Sequence, residues 1–196
     1  MVPDQRVLAP GLLFVNAVLR MAERLFFQLA VEGLLATLPA LTPDVRKRLL
    51  ALGVDPDALL PAYPQDVYVA LMAYVGEVLF PSLPVREREA ETGAAFLRSF
   101  SKSLVGAATL GLARVVGPHR AIARLTRSLR TANNFAEGGT TSSDEKVIGV
   151  WIQPVVRPHL YLGVLREAGR LIGTHNSQVE LTRYENERAE YRFWWE

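Results

Sequence analysis

The sequence predicts an α+β domain: an N-terminal helical part packed on a small, mainly antiparallel sheet that ends in a C-terminal hairpin. Three observations lead there. Through the first two-thirds of the chain, apolar residues recur at three- and four-residue spacings, the period of a helix with one buried stripe. Proline and glycine punctuate those runs where helices start and stop. From residue 146 onward, β-branched and aromatic residues appear in short runs, and the last of these alternate with polar residues in the two-residue period of a strand.

Taken in order, residues 1–24 read as a lead-in and the start of an apolar helix, and residues 25–196 as one α+β domain. The spacing of Leu12, Val15, Leu19, Ala22, Phe26, Leu29 and Leu34 predicts a helix over 11–38. Thr42-Pro43-Asp44 is a helix start, with a capping hydroxyl, a proline in the first turn and an acid facing the dipole. That helix stops near Gly53, and Asp55-Pro56 repeats the start signal. Pro61 and Pro64 bracket Tyr63 and make 60–65 extended. Helices follow over 66–80 and over 85–116, the second bent at 99–103, and over 119–129 beyond Gly117-Pro118. Residues 146–153 predict a strand, 158–172 a helix stopped by Gly173, and 179–195 a hairpin turning at Glu185-Asn186-Glu187.

Composition excludes several kinds of chemistry. The 196-residue chain has no cysteine, so disulfides, thiolate metal sites and cysteine nucleophiles are absent. Its 22 basic and 20 acidic side chains leave a formal charge of only +2, which gives nucleic-acid binding no support. The charge-free runs 7–19, 33–43 and 103–113 are shorter than the roughly 18 to 20 apolar residues of a spanning helix. No signal-peptide pattern opens the chain, and the expectation is a cytoplasmic protein without a transmembrane segment. Nucleophile elbow, phosphate loop and zinc-binding helix patterns are missing. His119, His159 and His175 share no ligand spacing. The expectation is no catalytic residue, no metal site, no cofactor and no enzyme activity.

The segment Ser128–Gly139, SLRTANNFAEGG, is the densest polar motif. Arg124, Arg127 and Arg130 recur along one side of a helix and lead into Asn133, Asn134 and Glu137. Guanidinium forks and carboxamides suit carboxylate or phosphate oxygens, so these residues form a candidate anion site. Asparagines also end helices by bonding back to nearby amides, and Arg130 then satisfies the freed carbonyls. Both readings stay open. The candidate ligand-binding set is Arg127, Arg130, Asn133, Asn134 and Glu137, with Tyr63 and Trp151.

Several of these pieces occur in a recognisable order: Phe27…Val31-Glu32-Gly33-Leu34, Leu52-Gly53-Val54-Asp55, Leu60-Pro61-Ala62-Tyr63-Pro64, Leu79-Phe80-Pro81, Gly93…Phe96, Arg130-Thr131-Ala132-Asn133-Asn134-Phe135 and Gly163-Val164-Leu165-Arg166-Glu167-Ala168-Gly169. Together they resemble a myxobacterial paralogous family of unknown function, over roughly residues 25 to 195. The layout is more distantly similar to the haem-nitric-oxide/oxygen-binding domains and their vinyl-reductase and vesicle-tethering relatives. Those share a helical N-terminal part, a Tyr-Pro turn and a closing strand like Tyr191-Arg192-Phe193-Trp194-Trp195.

That resemblance implies a sensory, ligand-binding domain of bacterial signalling, with a pocket between the helices 66–80 and 85–116 and the sheet. It does not carry haem over, because the iron-ligating histidine would fall near Ala132-Asn133 and the Tyr-x-Ser-x-Arg clamp is missing. The expected ligand is a small apolar or anionic molecule. The alternative is a protein-interaction module, a homodimer or a domain docking to a partner through its apolar N-terminal helix, for which Phe14, Leu19, Phe26 and Phe27 would have to be exposed.

Overall fold

The computed structural model describes residues 23–103, 106–108, 111 and 115–196. The expected lead-in and residues 11–22 of the first apolar helix, with Phe14 and Leu19, lie outside those residues. The first described element is not helical. Leu25–Phe27 is a strand, β1, and the helix begins only at Gln28–Leu35 (α1). β1 pairs antiparallel with β2 (Ala62–Pro64), Phe26 opposite Tyr63. On its other side it meets the end of the polar motif: Phe27 N–H donates to Ala132 O at 2.8 Å and Asn134 N–H to Leu25 O at 3.1 Å. These partners are distant in sequence, so local periodicity extends the helix through a segment that tertiary pairing holds straight.

Thr42 caps α2 (Pro43–Ala51), its hydroxyl accepting the Val45 amide at 3.4 Å. Asp55-Pro56 opens no helix, because Asp55 Oδ1 accepts from its own near neighbour, the Asp57 amide, at 3.0 Å and closes a turn. α3 (Gln65–Leu79) and α4 (Val85–Phe100) follow. The long helix expected over 85–116 is interrupted rather than bent. Ser101 and Ser103 hydroxyls donate to Arg98 O and Phe100 O at 2.7 Å, satisfying the carbonyls of the last turn. Helical backbone resumes at 106–108, 111 and 115–116. Next come α5 (Pro118–Arg127) and a 3-10 turn (Ser128–Thr131).

The sheet has the order β3-β4-β6-β5, antiparallel throughout, from β3 (Glu137–Asp144), β4 (Val147–Gln153), β5 (Gln178–Glu185) and β6 (Arg188–Trp194). No local signal marks β3. Its sequence EGGTTSSD carries no apolar alternation, and pairing to β4, Glu137 opposite Gln153, is what makes it a strand. The inner face is the buried set Ile148, Val150 and Ile152 of β4 and Ala189, Tyr191 and Phe193 of β6.

α6 (Pro158–Ile172) packs across that face, and α4 crosses α6 at backbone contact. Two glycines permit the crossing: a Cβ on Gly93 would lie 2.0 Å from Leu160 O, and one on Gly163 only 1.7 Å from Ala90 O. Buried Glu167 joins the helices further along, holding Arg98 at 3.1 Å and Arg170 at 2.5 Å. Two cores result. One lies between α6 and the sheet; the other, around Val31, Leu34, Leu49, Tyr63 and Leu71, holds the N-terminal helices together.

Candidate functional site

Where the two cores meet, the structure leaves a cavity of about 110 Å³. Its floor is Phe26, Leu29 and Ala30, with Phe96, Leu97 and Phe100 of α4 on one side. Leu125, Leu129 and Ala132 around the 3-10 turn face Leu160, Val164 and Leu165 of α6, and Ile152 closes the sheet side. Phe26 sits at the middle of an aromatic cluster, stacked on Tyr68 at 3.8 Å between ring centroids and edge-on to Phe135 at 5.2 Å.

Most polar groups of the wall are already committed. Thr126, Ser128 and Thr131 hydroxyls donate to carbonyls three residues back in their own helical turns, at 3.0, 2.8 and 2.7 Å. Asn133 is buried and bonded at both ends of its carboxamide: its Oδ1 accepts the amides of Phe135 at 3.1 Å and Ala136 at 2.6 Å, and its Nδ2 donates to Leu129 O at 3.1 Å. Two phenols on the wall differ. Neither Tyr68 nor Tyr161 has a hydroxyl partner among the described residues. Burial pushes the Tyr161 hydroxyl up to about 12, and burial with the neighbouring Tyr161 raises that of Tyr68 as well. Both are therefore neutral donors throughout the physiological range. Among the described residues, no histidine, cysteine, methionine or arginine lines this cavity.

The expected site residues do not converge on it; of the seven, Asn133 alone reaches the wall. Asn134 stitches the motif to β1, accepting the Leu25 amide at 2.9 Å and donating to Glu23 O at 3.0 Å. Arg130 is exposed and donates to Asn134 O, and Arg127 is exposed on α5. Glu137 opens β3 and accepts from Gln153 at 3.1 Å. Trp151 stands on β4 beneath the Arg188 guanidinium, 4.6 Å from its ring centroid. Tyr63 is buried in β2, its hydroxyl accepting the Leu60 amide at 2.8 Å.

Sequence reasoning passes over Tyr68 and Tyr161, which sit in apolar helical runs and read there as core. Only the absence of a partner for each hydroxyl sets them apart, and that is visible in three dimensions alone. Of the histidines, His119 meets Glu145 O at 3.0 Å and the edge of Trp195, and His159 lies 3.7 Å from Glu89. No cluster of three metal-ligating side chains occurs among the described residues. No described helix is long and apolar enough to cross a membrane.

The architecture is that of the H-NOX domains. An oxygen-binding H-NOX domain related to soluble guanylate cyclases, solved as its oxygen complex, superposes with a TM-score of 0.60 at 16% identity, over 85% of this chain and 93% of that one. A structure from work on haem distortion in the H-NOX family gives 0.61 at 16% identity with the same coverage. A variant of the T. tengcongensis H-NOX gives 0.54 at 15%, over 78% and 86%. At such identities the fold is what is shared. Residues 8–196 match the family described as a protein of unknown function (DUF2378), and the chain belongs to that family. No curated protein matches it.

Proposed function

We propose that this protein is a haem-free, non-enzymatic sensory domain that binds a small, largely apolar molecule carrying one hydrogen-bond acceptor. The observation that carries the reading is the cavity between the two cores, apolar but for two phenol donors without partners. An engineered cavity of about 150 Å³ with comparable walls holds benzene or xenon, which sets the ligand's size at that of one small ring or less. The unpaired hydroxyls give it chemistry: a carbonyl or ether oxygen would accept from a phenol of the wall.

The H-NOX likeness brings haem into question, and the residues here do not fit it. The cavity of about 110 Å³ lies well below the roughly 300–1,000 Å³ of clefts that hold drug-sized molecules. Among the described residues, the wall lacks the imidazole, thiolate and thioether that serve as axial ligands. Its tyrosines would have to bind as phenolates, whereas burial drives them toward the neutral form.

Its position suits a signalling role, because the walls come from both cores and a ligand there would bias how they sit on each other. A cytoplasmic sensor that self-associates through its N-terminal segment is compatible with this reading. The interaction module has less to draw on: Phe26 is buried at 8% exposure within one chain, and Phe27 is half-buried.

Native mass spectrometry of the protein purified from its own host is the test. The expected spectrum shows a retained small molecule in the wild type and none in Ala132→Leu, whose longer side chain fills the cavity. A wild-type protein that carries nothing, and that no small ring compound stabilises against heat, contradicts the proposal.

A further inference from the structure

Charge is unevenly placed along this chain. Seven of its 22 basic side chains lie between Glu91 and Glu137, and none of its 20 acidic ones does. The fold gathers four of the seven in one row. Arg120, Arg124 and Arg127 of α5 are exposed, and at 100° per residue they fall within about 60° of one another around the axis. Arg130, also exposed, follows in the 3-10 turn and extends the row to about 15 Å. The opposite side of α5 is spoken for: Ala121, Ile122 and Thr126 are buried, and Leu125 lines the cavity between the cores.

The row has no acid to meet. The guanidiniums of Arg120, Arg124 and Arg127 make no hydrogen bond or ion pair among the described residues. Arg24, Arg46, Arg98, Arg157, Arg170 and Arg183, by contrast, each hold a carboxylate. Arg130 donates to Asn134 O, a neutral acceptor. Nor does helix stability account for the row, since like charges at three- and four-residue spacing repel. The dipole of α5 favours Arg124 and Arg127 in the last turn but opposes Arg120 in the first.

Shape and composition decide what fits. The face is convex, and none of the four arginines lines the cavity between the cores, so a small anion would meet one fork at a time. Stable docking on a membrane takes a second, apolar signal, and the apolar side of α5 faces the core. Duplex nucleic acid would meet a molecule of net charge only +2. Carboxylates on one face of another helix, at i, i+4 and i+7, repeat the spacing of Arg120, Arg124 and Arg127 and suit planar guanidinium forks.

We propose that this face of α5 docks an acidic helix of a partner protein, its carboxylates in register with Arg120, Arg124 and Arg127.

The probe is a fluorescein-labelled, alanine-based helical peptide with glutamates at i, i+4 and i+7, its anisotropy followed as the full chain is added at about 150 mM salt. Saturable binding is expected, and none to the analogue with lysines in place of the glutamates. Arg124→Glu with Arg127→Glu is expected to reverse that preference, losing the glutamate peptide and gaining the lysine one. Arg124→Gln with Arg127→Gln removes the charge alone and is expected to weaken the glutamate peptide by about fivefold or more. This pair decides the matter should the reversed pair not fold. Lys47→Glu with Arg48→Glu, exposed on α2, changes the net charge as much as the reversed pair and is expected to leave binding unchanged. The proposal is overturned if the glutamate peptide does not bind saturably, or if the glutamine pair binds it undiminished. Equal loss in the α2 pair, or tighter binding to phosphatidylglycerol vesicles or duplex DNA than to the peptide, overturns it as well.

Discussion

Asn133 shows how one side chain can hold a junction. It spends its carbonyl oxygen on two amides and its amino group on Leu129 O, at a place with 1% exposure. Asn133→Ala strands the buried Ala136 amide and is expected to cost about 2–3 kcal/mol in urea unfolding, since a buried unsatisfied donor costs about 1–3 kcal/mol. Arg130 is exposed, and its bond to Asn134 O is worth less: Arg130→Ala is expected to lose under about 1 kcal/mol. The motif is visible in the sequence as a polar cluster, and so are both of its readings. What the letters Arg-Thr-Ala-Asn-Asn-Phe do not contain is the partner, because Leu25 and Phe27 lie more than a hundred positions away. Tyr161 is the reverse case. Nothing in Leu-Tyr-Leu-Gly distinguishes it from core, yet it carries one of the cavity's two free donors.

Among the elements, the helices are legible because their signals are local. Thr42-Pro43, Gly117-Pro118 and Gly173 mark boundaries through their own backbone preferences, and the hairpin through alternation. β1 and β3 are not, because both are strands by virtue of partners. β1 is three apolar residues continuous with a helical run, and β3 is small and polar. The α4–α6 crossing is not legible, because Gly93 and Gly163 sit inside helical runs and the backbone each one meets belongs to a distant helix. Its energetic weight is open to measurement. Gly163→Ala sets a methyl 1.7 Å from Ala90 O, and backbone on both sides leaves no flexible side chain to yield. Overpacking of this kind costs about 1–3 kcal/mol and occasionally more. The upper end is expected here, read as a lowered urea midpoint with weakened near-ultraviolet dichroism.

Considered as one molecule, the domain should be unusually sensitive to alkali. Burial raises the hydroxyls of Tyr68, Tyr161 and Tyr191, Tyr161 to about 12. Unfolded tyrosine ionises near 10, so above that pH the unfolded chain has lost protons the folded one keeps, and stability falls as pH rises. Three such groups give a slope of about 2 kcal/mol per pH unit at pH 10, rising toward about 4 near pH 11. Tyr161→Phe is expected to remove about a third of it. At the acid end the sign reverses. Arg24, bonded to Glu187 at 2.8 Å across the N-terminal segment and the hairpin turn, holds that carboxyl below its ordinary value. Its contribution is complete above the unfolded carboxyl range near 4.5 and is lost as pH falls through the lower folded value. Because both side chains are partly exposed, Glu187→Gln is expected to cost under about 1 kcal/mol at pH 7 and nothing once the pH is below both values.

The cavity between the two cores is where this architecture would be turned to sensing, and a calorimetric titration with cyclopentanone probes it directly. A saturable isotherm with a negative heat-capacity change is expected, since the ring would bury apolar surface. The affinity is expected to drop by about tenfold in Tyr161→Phe, which removes a donor, and to vanish in Ala132→Leu, which removes the space. No saturable heat in the wild type, or an isotherm that Ala132→Leu leaves unchanged, would contradict a ligand site at this place.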